Sequence, residues 1–109
     1  MYYLCVCAYG HSRSVALCRT LHGRGVHAVA AGVRTAGDAL ELIGQRAEKV
    51  LVLDDALLPA IPKSLASKVV SFHVGPDRWV NPYHPELRAI LEKMVDEKLP
   101  GVGDGKREL

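Results

Sequence analysis

Short apolar runs alternate along the chain with stretches whose apolar residues recur at helical spacing. Residues 2–8 (Tyr-Tyr-Leu-Cys-Val-Cys-Ala) form an apolar, β-prone run, and residues 26–31, 50–53 and 69–74 repeat that character roughly every twenty residues. The pattern predicts four buried strands. Between the first two, Val15, Leu17, Cys18 and Leu21 supply one apolar face that the glycines at 23 and 25 bring to an end, which predicts a first helix. A second is expected from Ala39, Leu42, Ile43 and Ala47, with Thr35, followed three residues later by Asp38, read as its N-terminal cap. Pro59 and Pro62 forbid one long helix after the third strand, so a short helix or irregular crossover is expected there. The last helix starts at Pro85, a favoured first helical residue, carries Leu87, Ile90, Leu91 and Met94 as its stripe, and stops at Pro100-Gly101.

Strands alternating with helices imply a parallel sheet, and right-handed crossovers place helices on both of its faces. The expected fold is therefore α/β: a flavodoxin-like three-layer sandwich whose four-stranded parallel sheet has the order 2-1-3-4. A chain of 109 residues fits one core, here residues 1–100, followed by a glycine-rich polar tail over 101–109 that is expected to be flexible. In such sheets ligands bind beyond the carboxyl ends of the strands where the order reverses, and the loop after strand one falls at that point.

Composition narrows the function classes. Fourteen Lys and Arg against twelve Asp and Glu are scattered without forming a basic block, so nucleic-acid binding has no compositional support. No apolar run approaches the ~18 residues needed to span a bilayer, and no membrane partner is expected. Cys5, Cys7 and Cys18 are odd in number, and no basic start with an apolar run precedes them, which points to a reducing cytoplasm. The terminal Arg107-Glu108-Leu109 resembles a retrieval tail only superficially. His22, His27, His73 and His84 show no metal-ligand spacing, and neither metal nor cofactor is expected.

The chemistry concentrates in Cys7-Ala8-Tyr9-Gly10-His11-Ser12-Arg13-Ser14. A loop leading from a strand into a helix N-terminus offers backbone N–H groups and the positive end of the helix dipole to a phosphate. Gly10 suits the positive φ of a curled loop. Arg13, six residues after Cys7, closes the loop and aims a planar, permanently charged fork at two phosphate oxygens. The same surroundings favour the Cys7 thiolate, the form that attacks phosphorus, and the Ser14 hydroxyl can donate toward the departing sulfur. Residues 8–13 are thus the candidate phosphate cradle, with inorganic phosphate or another oxyanion as ligand, and His11 a weak further contact. Cys5, on the same face of the strand as Cys7, and Cys18, on the apolar face of the first helix, read as core residues.

This segment resembles a known family. Cys-x5-Arg-Ser directly after an N-terminal strand is similar to the low-molecular-weight protein tyrosine phosphatases, and Cys-x-x-Gly-x-x-Arg-Ser also spells the general signature of cysteine-based phosphatases. The family usually has Gly then Asn where this chain has Tyr9 and Gly10, and a second cysteine where it has Ser12. The resemblance implies a metal-free phosphatase acting on a phosphorylated protein or small aryl phosphate through a phosphocysteine intermediate. It also implies an aspartic acid that protonates the leaving group, on a loop after the last strand. Asp77 is the candidate, in Asp77-Arg78-Trp79 where the family has Asp-Pro-aromatic. Asp54 and Asp55, at the end of strand three, are its rivals, with a structural cap as their expected job. Tyr9, Trp79 and Tyr83 are candidate walls of the substrate pocket.

Other readings of the same loop are weighed beside this one. Enzyme IIB components of sugar phosphotransferase systems use a cysteine on such a loop, but Arg13 stands where they carry a small hydroxyl residue. Arsenate reduction requires relay cysteines well down the chain, and none follows residue 18. A phosphate-binding module without catalysis is the remaining alternative.

Overall fold

The computed structural model describes residues 1–76, 78, 79 and 81–101. Four strands, β1 (Tyr3–Cys7), β2 (Ala28–Gly32), β3 (Lys49–Val52) and β4 (Val69–Ser71), alternate with the helices α1 (Arg13–His22), α2 (Ala39–Arg46) and α3 (Pro85–Lys98). All pairings are parallel and the strand order is β2-β1-β3-β4, the expected flavodoxin-like arrangement. Strand four is shorter than the apolar run suggests. Phe72 N–H and Val74 N–H still donate to Val52 and Leu53 carbonyls, so the chain follows β3 beyond the regular ladder.

Alternation along β1 divides the core. Tyr3, Cys5 and Cys7 face one layer with Leu17 and Leu21 of α1 and Leu87, Leu91 and Val95 of α3. Leu4 and Val6 face the other, with Leu40 of α2 and with Leu57, Ile61 and Leu65. These last three come from the proline-containing crossover, which folds as two 3₁₀ turns, Asp55–Ala60 and Lys63–Lys68. Pro59 sits inside the first turn and Pro62 leads into the second, and the N–H groups they lack keep the two turns from merging into one helix. At α3, Pro85 occupies the first turn and the His84 ring accepts from Glu86 N–H as the cap.

Helix α2 departs from its expected reading in two ways. It begins at Ala39, after Asp38, and Thr35 is not its cap. Its buried residues are Leu40 and Gly44, whereas Leu42 is exposed. The reason lies at Gly44: a Cβ there would come within 2.4 Å of the Leu65 side chain, so the crossover packs directly on the helix backbone and selects that face. A second feature escaped the hydrophobic pattern altogether. Arg24, just past α1, is buried, with Nε and Nη2 donating to Glu92 Oε1 at 3.1 and 2.6 Å and Nη1 to Asp96 Oδ1 at 2.7 Å. It ties the α1–β2 connection to α3. No helix among the described residues is long and apolar enough to cross a membrane. The expected flexible tail lies, from residue 102 onward, outside the described residues.

Candidate active site

The chain leaves β1 toward β2 on one side and later returns to β3 on the other, so the carboxyl end of β1 is where the order reverses. Cys7 is the last residue of that strand and Arg13 the first of α1. The intervening loop is laid on the end of β2 by a pair of glycines. Gly10 has φ +76°, and a Cβ there would lie 2.8 Å from Gly32 N. A Cβ on Gly32 would lie 2.3 Å from the Tyr9 carbonyl carbon. The segment after β2 then fastens the loop: Val33 N–H donates to Cys7 O at 3.0 Å, Arg34 N–H to Ala8 O at 2.9 Å, and Thr35 Oγ1 to Tyr9 O at 3.1 Å. Thr35 is thus a brace of the loop instead of a helix cap.

Cys7 is 2% exposed, with Ser14 Oγ 3.1 Å from its sulfur and Gly10 N–H pointing inward at 3.1 Å. Burial, the largest single influence, pushes the thiol up. The Ser14 hydroxyl, the Ser14 and Gly10 backbone N–H groups and the Arg13 charge together outweigh it, and the thiol lies below its ordinary value. The loop is therefore arranged to hold a thiolate, with Ser14 as hydrogen-bond donor to the sulfur.

Arg13 is buried at the mouth of the helix. Its Nη1 donates to Gly75 O at 2.8 Å and to Asp54 Oδ2 at 3.2 Å. Asp54 directly follows β3 and the Leu53 residue, and its other oxygen caps the first 3₁₀ turn by accepting from Ala56 N–H at 3.0 Å. The expected cap is present, and with it an ion pair to Arg13 that the sequence did not suggest. Both Asp54 oxygens act as acceptors, which suits orientation of the guanidinium. His73 lies beside this pair, Nδ1 3.7 Å from Asp54 Oδ1. That nitrogen accepts from Asp55 N–H at 2.9 Å, so its lone pair is engaged there and the ring does not donate through it to Asp54.

The other candidates separate. Ser12 is buried and His11 exposed. Tyr9 is half-exposed at the rim, with the Arg34 guanidinium 5.9 Å from its ring centre. Trp79 joins the core on the α1/α3 face, its Nε1 donating to Glu86 Oε1 at 3.0 Å, and Tyr83 stacks on Arg19, six residues along α1 from Arg13. Of the three expected pocket walls, Tyr9 alone belongs to the loop itself; the other two are drawn aside by the core and by a guanidinium. Asp77 lies outside the described residues, while Gly75 and Trp79 on either side are held as described. Cys5 and Cys18 are buried free thiols, and burial together with a hydrogen bond that the Cys5 thiol donates to Cys18 raises the Cys5 thiol well above the usual range. Among the described residues no three His, Cys, Asp or Glu side chains converge as a metal site would require.

Gly32, Thr35 and the Gly75 carbonyl were not legible as parts of the site, nor was the contact of Asp54 with Arg13, because each reaches it through a neighbouring strand. A search of known protein families, characterised proteins and solved structures finds no match to this chain.

Proposed function

We propose that this chain is a cysteine-dependent phosphatase that hydrolyses phosphotyrosine or similar aryl phosphomonoesters, a compact relative of the low-molecular-weight type. The observation that carries the reading is the geometry of the loop: Cys7 ends β1 with its sulfur 3.1 Å from Ser14 Oγ and 3.1 Å from the Gly10 nitrogen, and Arg13 begins the following helix. A thiolate among N–H donors and a guanidinium is the pairing that phosphoryl transfer to sulfur demands. The phosphoryl dianion sits against the N–H groups of residues 8–13 and the Arg13 fork, which Asp54 and Gly75 O orient through Nη1. The Cys7 sulfur attacks phosphorus, the bond to the aryl oxygen breaks, and the leaving oxygen takes a proton from Asp77, a role that rests on the resemblance. Water then attacks the phosphocysteine with Asp77 as base, the Ser14 hydroxyl donates to the departing thiolate, and inorganic phosphate leaves. No metal enters these steps. The three free thiols support a reducing compartment such as the cytoplasm as its location.

Turnover of para-nitrophenyl phosphate tests the reading. Cys7→Ser is expected to lower it on the order of 10⁴-fold or more. Activity that survives this substitution removes Cys7 as nucleophile. Stabilisation by tungstate without hydrolysis replaces the enzyme with a phosphate-binding module.

A further inference from the structure

A second site of positive charge lies along the same helix. Ala16, Arg19 and Thr20 stand three and four residues apart on α1, on the stripe that begins at Ser12 and Arg13. With Pro82, Tyr83 and Arg88 they line a cavity of about 250 Å³. The Arg19 guanidinium lies 4.2 Å from the centre of the Tyr83 ring, which fixes both side chains at the cavity. Arg88 enters from the first turns of α3. Its Nε is 3.9 Å from Glu92 Oε2, but the other oxygen of that carboxylate is taken by Arg24. No acidic residue is among the described residues that line the cavity. Two guanidiniums beside an aromatic ring, facing a small polar space, are suited to a planar anion held by paired N–H donors.

Its place relative to the Cys7 loop indicates what that anion belongs to. Six residues of helix separate Arg13 from Arg19, about 9 Å along the axis. A small aryl phosphate cannot bridge that distance. An extended peptide advances about 3.3 Å per residue, so three residues do. We infer that this cavity is a substrate subsite for an acidic side chain about three residues from the phosphotyrosine of a phosphopeptide. The inference rests on the phosphatase reading and gives it a substrate class.

The test compares phosphotyrosine peptides that are identical except for glutamate or alanine three residues before or after the phosphotyrosine, with para-nitrophenyl phosphate as the reference. Glutamate on one side is expected to raise kcat/KM about tenfold, mainly through KM. Arg19→Gln with Arg88→Gln removes that preference, Arg19→Lys keeps part of it, and para-nitrophenyl phosphate turnover stays the same in all. Should the double variant lose the reference activity, Arg88→Gln alone is expected to halve the preference or more, and an unchanged preference overturns the inference. Equal turnover of glutamate and alanine peptides by the native chain overturns the subsite and leaves the phosphatase standing. If the native chain hydrolyses neither peptides nor para-nitrophenyl phosphate, the phosphatase reading falls and the subsite with it.

Discussion

Cys5 and Cys7 stand two residues apart on β1, on the same face of the sheet and both almost wholly buried, yet their thiols are displaced in opposite directions. At the middle of the strand Cys5 meets apolar side chains and the Cys18 thiol, and burial is reinforced by Cys18 and Cys7. At the carboxyl end Cys7 meets the same burial, but also Ser14, two inward N–H groups and the Arg13 charge. The preference for a thiolate thus follows from the donors that a strand end and a helix start bring together, not from exposure. Two residues of strand, about 6.6 Å, separate a thiol that its surroundings hold protonated from one whose neighbours favour the thiolate.

Substitutions can break that contrast, starting with the largest effect. Arg13→Ala removes the charge that favours the thiolate and leaves Asp54 facing the site without its guanidinium. A loss of kcat/KM on the order of 10³-fold is expected, and an ultraviolet titration of the thiolate should move upward. Ser14→Ala keeps the charge and removes one donor to the sulfur. Turnover should fall roughly tenfold, with phosphocysteine accumulating in rapid-quench measurements because the second step is the one slowed. Cys5→Ala is the counterpart: activity is expected to stay within about twofold of native, while denaturant unfolding shows a loss of about 1 kcal/mol for the vacated core volume.

The pH dependence of stability sharpens the contrast further. The Cys7 thiol is lower in the folded chain than in the unfolded one, where it lies near ~8.5. Between those values only the unfolded chain holds the proton, so this contribution is present in full above ~8.5 and is lost as pH falls through the folded value. The Cys5 thiol is raised, so its contribution is complete below ~8.5 and fades as pH rises toward its folded value. Thermal unfolding should therefore show the advantage of native over Cys7→Ser growing as pH rises toward ~8.5, and that over Cys5→Ala shrinking above about pH 8.5. Parallel curves for the two variants would remove the electrostatic distinction.

Much of the fold was legible because hydrophobic periodicity is local. The four strands, the three helices and the interrupted crossover follow from where apolar residues recur and where Gly and Pro stop them, and the expected order 2-1-3-4, taken from the flavodoxin-like pattern of alternating strands and helices, is the one observed. Thr35 misled because Thr followed three residues later by Asp looks like a cap, whereas its hydroxyl is claimed by Tyr9 O across a strand. Leu42 misled because the face of α2 is chosen by Leu65 against Gly44, a contact between segments about twenty residues apart. The aromatics at 79 and 83 read as pocket walls by position alone, and the core and Arg19 claim them first.

By itself, then, the sequence determined the parallel sheet and the loop that joins Cys7 to Arg13 and Ser14, since both depend on residues close together along the chain. The tertiary structure alone decided how that loop is held and charged. Gly32 and Thr35 reach it from β2 and its following loop, Asp54 from the end of β3, and Gly75 from beyond β4. Hydrogen bonds and ion pairs act over a few ångströms whatever the distance along the chain, so the partners that the loop and Arg13 find on the neighbouring strands could be named only once the strands had been set side by side.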